Sequence, residues 1–383
     1  MRIKKRLLAL NLWLHRWLGL SSGLVVFIVG LTGCVLTFQK EIEDWMEPYR
    51  LIEEEHYRPL RPQYLLRPLL DSVDTINMMA INYLGTGRTA VALYETREGE
   101  RYQAFIHPAT GNIKHIKRQQ ISFFMVMLQL HVRLLIPGEI GQYIVSYATL
   151  IFMVLLLGGM ILWWPKKWKG KMLKNSLWVN WKAKTKRLNY DLHNVYGFYA
   201  FLPALVIAFT GVFISVSWLN KSVYRIASKG QVLPERTMPH STIVPGEMGL
   251  TGLEAVDSVW FLLGSHKHQA SYALSFIVPQ KPDDVVTVTD NPDPETARLA
   301  VIRHFDRYSF RPIPMPHYWQ KEYESSNFGD LIGRYNFDIH VGRIGGMPGK
   351  FLAFMASLVC TSLPITGFFI WFNRRKGKRK RLF

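Results

Sequence analysis

A twenty-residue apolar stretch occurs twice in the chain. Leu14–Gly33 reads LHRWLGLSSGLVVFIVGLTG and Leu192–Gly211 reads LHNVYGFYAFLPALVIAFTG. Both open with a histidine, carry glycine four residues later, and close on Thr-Gly. At 3.6 residues per turn, positions four and eighteen residues on return to the face of the first. His15, Gly19 and Gly33 therefore share one stripe, and His193, Gly197 and Gly211 share its counterpart. Small residues along a stripe let a second helix or a flat ligand approach closely. A chain with two such stretches is constrained to bundle apolar helices around histidines.

The surrounding composition says where those helices lie. Of 383 residues, 49% are hydrophobic, and the mean hydropathy of +0.04 suits a membrane protein with sizeable aqueous parts. The net charge of +19 is concentrated. Residues 1–16 hold five Lys/Arg, 166–187 hold nine and 374–381 hold seven, with no Asp or Glu in any of these stretches. Setting those aside leaves 26 basic against 28 acidic residues, so the rest is nearly neutral. Basic blocks beside apolar spans follow the positive-inside pattern, which argues for membrane topology and against nucleic-acid binding. Cys34 and Cys360 both fall in apolar spans, with no CxxC pair and no CxxCH haem-attachment motif.

The order along the chain follows. Residues 1–38 are the first span, retained rather than cleaved because the run is too long for a signal peptide and lacks a small-residue cleavage site. Residues 39–118 form a first external α+β unit, with a helix over Gln63–Asp74, strands over Thr89–Glu95 and Tyr102–Ile106, and a Pro108–Gly111 turn before Asn112–Ile116. Residues 119–164 carry a helix with His131 and Arg133, a Pro137-Gly138 break, and the second span. Residues 165–190 are a basic loop. Residues 191–218 are the third span, with a kink expected at Pro203. Residues 219–325 form a second external α+β unit, with a helix over Gly252–Leu263 and strands over Ser271–Val278 and Val285–Thr289. Residues 326–373 carry a helix with His340 and Arg343, a GGMPG break and the fourth span, and 374–383 are a basic tail. The predicted fold is thus a membrane all-α bundle of four transmembrane helices with small external α+β units, both termini inside.

The two halves repeat in the same direction. LHVRLLIPGEIG answers IHVGRIGGMPG, GGMILWWPKK answers TGFFIWFNRR, and FDRYSFRP at 305–312 echoes FIHPATGN at 105–112. Four histidines become two pairs: His15 with His193 at the inner face and His131 with His340 at the outer. An imidazole on each side of a flat macrocycle holds a haem iron, and helix bundles build such sites from facing side chains. Two haems, one near each face, would form a conducting path across the bilayer. Zinc fits less well, because it needs four ligands at one point. Arg133 and Arg343, two and three residues past the outer histidines, are candidate partners for haem propionates. Of the other histidines, only His317 in MPHYW and the pair His266 and His268 stand out.

The LHRWLGL…GLTG opening, its repeat at 192–211 and the HPATG turn resemble the PepSY-associated transmembrane proteins over nearly the whole chain. The resemblance is strongest to their iron-regulated members that act as ferric-siderophore reductases. It implies a multi-pass protein of the bacterial inner membrane, PepSY-like periplasmic units, two b-type haems, and reduction of a ferric siderophore on the periplasmic face. His15, His131, His193 and His340 are the ligand positions carried over. FDRYSFRP departs from the pattern by lacking the Thr-Gly of the turn, which puts the second external unit in doubt.

The chain offers no GxGxxG and no cytoplasmic segment long enough for a flavin or nicotinamide domain, so electrons would come from a membrane quinol or a separate cytoplasmic reductase. The substrate wall would draw on aromatic stretches, His317-Tyr318-Trp319 and Phe123-Phe124. Two other classes remain open: a non-catalytic accessory or binding membrane protein, and a siderophore or metal transporter.

Overall fold

The computed structural model describes residues 2–73, 76–165, 167–242, 250–264 and 267–379. They fall into two compact units, one of residues 1–39, 121–220 and 336–383, the other of 40–120 and 221–335.

The first unit is helical. Its elements are α1 (Arg2–Thr37), α4 (Phe123–Arg133), α5 (Ile140–Trp163), α6 (Gly170–Leu177), α7 (Thr185–Asp191), α8 (Gly197–Ser215) and α12 (Gly346–Arg379). Four stretches are long and apolar enough to cross a membrane: Ile3–Thr37, Ile140–Trp163, Thr185–Ser215 and Arg343–Arg374. Leu24, Leu157, Leu202 and Phe351 lie exposed along them. Water would penalise that outward apolar surface and a bilayer would not. The protein is a membrane protein.

The four long helices pack in a ring, α1 to α5 to α8 to α12 and back to α1, so α1 and α8 face each other diagonally. Leu156, Ala204 and Cys360 meet in the interior, with Phe152, Phe201 and Leu205 against them. α1 and α12 approach closely. A Cβ on Gly23 would lie 3.3 Å from Pro364, and one on Gly30 would lie 3.2 Å from the backbone nitrogen of Thr361. The third span runs unbroken through Pro203. Its irregularity is a π-turn over Leu192–Tyr196, just ahead of α8.

Each break before a span is closed by one glycine. α4 ends where Leu134 and Leu135 turn left-handed, before Pro137-Gly138. The first turn of α5 then folds back so tightly that a Cβ on Gly141 would sit 2.1 Å from the Arg133 carbonyl oxygen. Gly349 meets the Gly342 carbonyl oxygen in the same way, at 2.3 Å. Only glycine allows such backbone approach.

The second unit contains one eight-stranded antiparallel sheet in the order β4-β3-β2-β1-β5-β6-β7-β8. Its first half is α3 (Pro62–Ser72), β1 (Asn77–Leu84), β2 (Ala90–Glu95), β3 (Arg101–Ile106) and β4 (Ile113–Arg118). Its second half is α10 (Gly252–Leu262), β5 (Ala273–Ile277), β6 (Val286–Asn291), β7 (Val301–Phe305) and β8 (Pro312–Ile313). The two segments expected as separate small external units are halves of this sheet. β1, missed in the sequence, pairs with β5, bringing Ile81 opposite Phe276. Leu65, Leu66 and Leu69 of α3 and Val256, Val259 and Trp260 of α10 bury that centre. The capping box of Thr251 and Glu254 starts α10, and Arg61 pairs with the buried Asp257 at 3.3 Å.

FDRYSFRP repeats the backbone of the FIHPATGN turn. The His107 N–H donates to the Asn112 carbonyl at 2.8 Å, and the Asp306 N–H donates to the Arg311 carbonyl at 2.9 Å. Gly111 has φ +76 and Phe310, at the matching place, has φ +56. The strain of a left-handed phenylalanine is offset by Asp306, whose carboxylate accepts from the N–H of Tyr308 at 3.1 Å and of Ser309 at 2.8 Å. The turn is the same, held by different chemistry.

Candidate functional site

The four histidines of the repeat meet in pairs. The rings of His15 and His193 have centroids 6.4 Å apart and planes at 89°. Those of His131 and His340 are 6.2 Å apart at 59°. Each partner comes from the other half of the sequence. His15 is on α1 and His193 is in the π-turn ahead of α8, a local unwinding that recurs at functional sites. His131 ends α4. His340 ends α11 (Phe328–His340). Along α1, His15 and Gly33 are separated by eighteen residues, roughly 27 Å at helical rise, which is close to the thickness of a bilayer's hydrocarbon core.

The hydrogen bonds fix which ring nitrogen is free. His131 Nδ1 lies 3.0 Å from the Val29 carbonyl and 3.1 Å from Thr32 Oγ1. The Thr32 hydroxyl already donates to the Ile28 carbonyl at 2.7 Å. Nδ1 therefore faces two acceptors and carries the proton, leaving the Nε2 lone pair free. His340 repeats this with the Ile207 carbonyl and Thr210 Oγ1, both at 3.1 Å. His193 Nδ1 bonds Thr366 Oγ1 at 2.8 Å, and that hydroxyl donates to the Ser362 carbonyl at 2.9 Å. Such second contacts lock a histidine's tautomer and raise its basicity as a metal ligand. The inner pair is asymmetric. Gly158 stands where Thr366 stands in the other half, so no hydroxyl meets His15 Nδ1, which is buried without a hydrogen bond of ordinary geometry.

Glycines make room for all four rings. A Cβ on Gly33 would come 3.3 Å from His131 Cε1, and one on Gly211 would come 3.0 Å from His340 Cε1. Gly159 and Gly367 stand in the same relation to His15 and His193, at 3.2 and 3.3 Å. The stripe glycines thus divide their work: Gly33 and Gly211 seat the outer pair, while Gly19 and Gly197 border a cavity of about 500 Å³ beside the inner pair. Gly159 and Gly367 were not singled out from the sequence. Their signal was present in the correspondence of GGMILWW with TGFFIWF.

The geometry suits a metal held between two imidazoles. With metal–nitrogen bonds of about 2.0–2.1 Å, two rings coordinated end-on to one ion have centroids roughly 6 Å apart. No group of three or more His, Cys, Asp or Glu gathers among the described residues. Two protein ligands per site suit a metal that brings its own in-plane donors, as haem does.

The PepSY-associated TM region matches residues 12–374. The chain belongs to this family. The match opens three residues before His15 and closes at Arg374, so all four paired histidines lie within it. No curated protein matches the chain.

The other site candidates fare differently. Arg133 lies in the last turn of α4 with its Nε buried and without a partner among the described residues. The Arg343 guanidinium stacks 5.6 Å above the Phe337 ring. His317 and Tyr318, expected in a substrate wall, are each only 7% exposed. Their segment wraps the buried Arg334, which donates to the carbonyls of Tyr318 at 2.6 Å and Ala300 at 3.0 Å, and lies 5.6 Å from the Trp319 ring. His317 and Tyr318 thus pack as core around Arg334. Phe124 is buried and Phe123 exposed. His268 stacks on Trp260 at 4.2 Å, and His266 lies outside the described residues.

Burial of His317 gives the second unit a pH dependence. Desolvation, then the charge of Arg236, holds its imidazole down to about 4, and His304 is lowered for the same two reasons. Folding therefore favours the neutral rings. Their stabilisation is complete above pH 6.5, the unfolded value, and is lost as pH falls through that window toward 4. Thermal melts from pH 8 to 4 should show the midpoint falling below 6.5. His317→Gln, which keeps an acceptor but cannot take up a proton, should flatten that fall. An unchanged slope in the variant would remove His317 as its cause.

Proposed function

We propose that this protein is a di-haem b-type electron-transfer protein of the bacterial inner membrane, and that it reduces ferric siderophore at the periplasmic face to release ferrous iron. The observation that carries the reading is the pair of bis-histidine sites, with ring centroids 6.4 and 6.2 Å apart, at opposite ends of one helical bundle. The concentrated positive charge favours an N-in, C-in topology, with the His15–His193 site inward.

Haem iron, when bound, supplies a one-electron couple at each site. The chain's part is to hold and orient. Thr32, Thr210 and Thr366 keep Nδ1 protonated and Nε2 available. α1 carries His15 and also fixes His131, and α8 carries the span of His193 and also fixes His340, so one rigid scaffold sets both sites. The apolar bundle interior keeps water from the path. Electrons would enter from a membrane quinol or a cytoplasmic reductase. The substrate ferric ion takes up one electron, and its oxygen-donor chelator then holds the softer ferrous ion less tightly. The chelator leaves intact.

The test is the absorption spectrum of detergent-purified protein, followed by anaerobic mixing of dithionite-reduced, desalted protein with ferric siderophores and a ferrous trap. A Soret band that sharpens on reduction, two haems per chain and rapid reoxidation with ferrous ion captured are expected. A colourless protein would favour the accessory or transporter classes. Haem reoxidised by quinone alone would leave a quinone-facing carrier.

A further inference from the structure

The cavity beside His15 and His193 is apolar along its walls and basic at one edge. Leu20, Val26 and Phe201 are among the walls. Arg16 and Arg374 also line it, and no Asp or Glu does. Neither arginine forms an ion pair among the described residues, so two cations face one cavity without a counter-charge. Both lie on the α1–α12 side. Gly23 and Pro364 mark the close approach of those helices, with 3.3 Å to a Cβ on Gly23. Seven residues back along α1 lies Arg16, and ten residues forward along antiparallel α12 lies Arg374, so both lead to the same end. The repeat is broken here, because the position after His193 is Asn194 where the one after His15 is Arg16. Gly367, against His193 Cε1, precedes Arg374 by seven residues, two turns on one face.

We infer that Arg16 and Arg374 bind the carboxylates of the amphiphilic ring held between His15 and His193, fixing that ring's orientation with its acidic edge toward α1 and α12. A planar guanidinium matches a carboxylate with two parallel hydrogen bonds, and two guanidiniums at one edge match a flat apolar ligand with two acid groups. Both arginines are positioning residues. The inference rests on the haem reading and assigns the inner site, whereas the sequence pointed only to Arg133 and Arg343 beside the outer one.

The experiment follows haem transfer from purified protein to excess apomyoglobin. It uses a His131→Ala background, so that only the inner haem remains. Arg16→Gln with Arg374→Gln should release haem about tenfold faster, the loss expected for charge-assisted hydrogen bonds. Arg→Lys at both positions should fall between, since it keeps charge but loses the fork. The Lys pair and the reduction potential, which should shift downward when cations are removed, keep the test valid if the Gln pair expresses poorly. Arg133→Gln with Arg343→Gln should leave release unchanged. Equal release and equal potential in the Arg16 and Arg374 variants would overturn the assignment while leaving the haem reading intact. A parent chain that binds no haem would overturn both.

Discussion

Alanine at His131 or His340 is expected to remove one of two haems, halve the Soret absorbance, and drop siderophore reduction to the rate of the protein-free control. Alanine at His15 or His193 should remove the other haem with the same loss of turnover. On the proposed reading each variant deletes one of the two histidines at its site, and no group of three or more His, Cys, Asp or Glu gathers among the described residues. The remaining pair keeps its geometry, because His131 is fixed by Val29 and Thr32 on α1, fourteen and seventeen residues along the same helix from His15. The surviving haems should differ in their electron paramagnetic resonance. The His15–His193 planes cross at 89° and the His131–His340 planes at 59°. Crossed imidazoles split the iron d-orbitals less than aligned ones, so the inner site should give the more anisotropic low-spin signal. His131→Ala and His15→Ala removing the same signal would disprove the pairing.

Gly141→Ala is the substitution expected to cost most in stability, about 3 kcal/mol at the upper end of overpacking penalties. Its new methyl would lie 2.1 Å from the Arg133 carbonyl oxygen, a backbone atom that cannot rotate aside. Gly349→Ala should act alike through the Gly342 carbonyl at 2.3 Å. Gly345→Ala is the control, since nothing lies within 4 Å of its Cβ position. Thermal unfolding in detergent, read by tryptophan fluorescence, should show large falls for the first two and little for the third. Gly141→Ala should also weaken the chromophore proposed between His131 and His340, because α4 must shift and His131 lies in its last turn. Wild-type stability in Gly141→Ala would mean the α4–α5 junction can relax, and the close approach would lose its significance.

Much of this was legible in the chain itself. Helix length and apolarity marked the four spans, because a bilayer's thickness dictates how many apolar residues a helix needs. The repeat paired His15 with His193 and His131 with His340, because a two-fold duplication forces equivalent residues to equivalent places. Tertiary structure decided what local pattern cannot encode. β1 and β5 join two expected units into one sheet through contacts nearly 200 residues apart, with Ile81 opposite Phe276. Asn77–Leu84 gave little signal by itself, since a central strand is specified by its neighbours as much as by alternation. His317 and Tyr318 read as part of a substrate wall, but the structure buries their segment around Arg334. Gly159, Gly367 and the Thr366 hydroxyl became partners of the inner histidines only when α5 and α12 were set beside α1 and α8. A sequence states which side chains are available. Which nitrogen is left free, and which guanidiniums meet in one cavity, depends on helix neighbours that only packing selects.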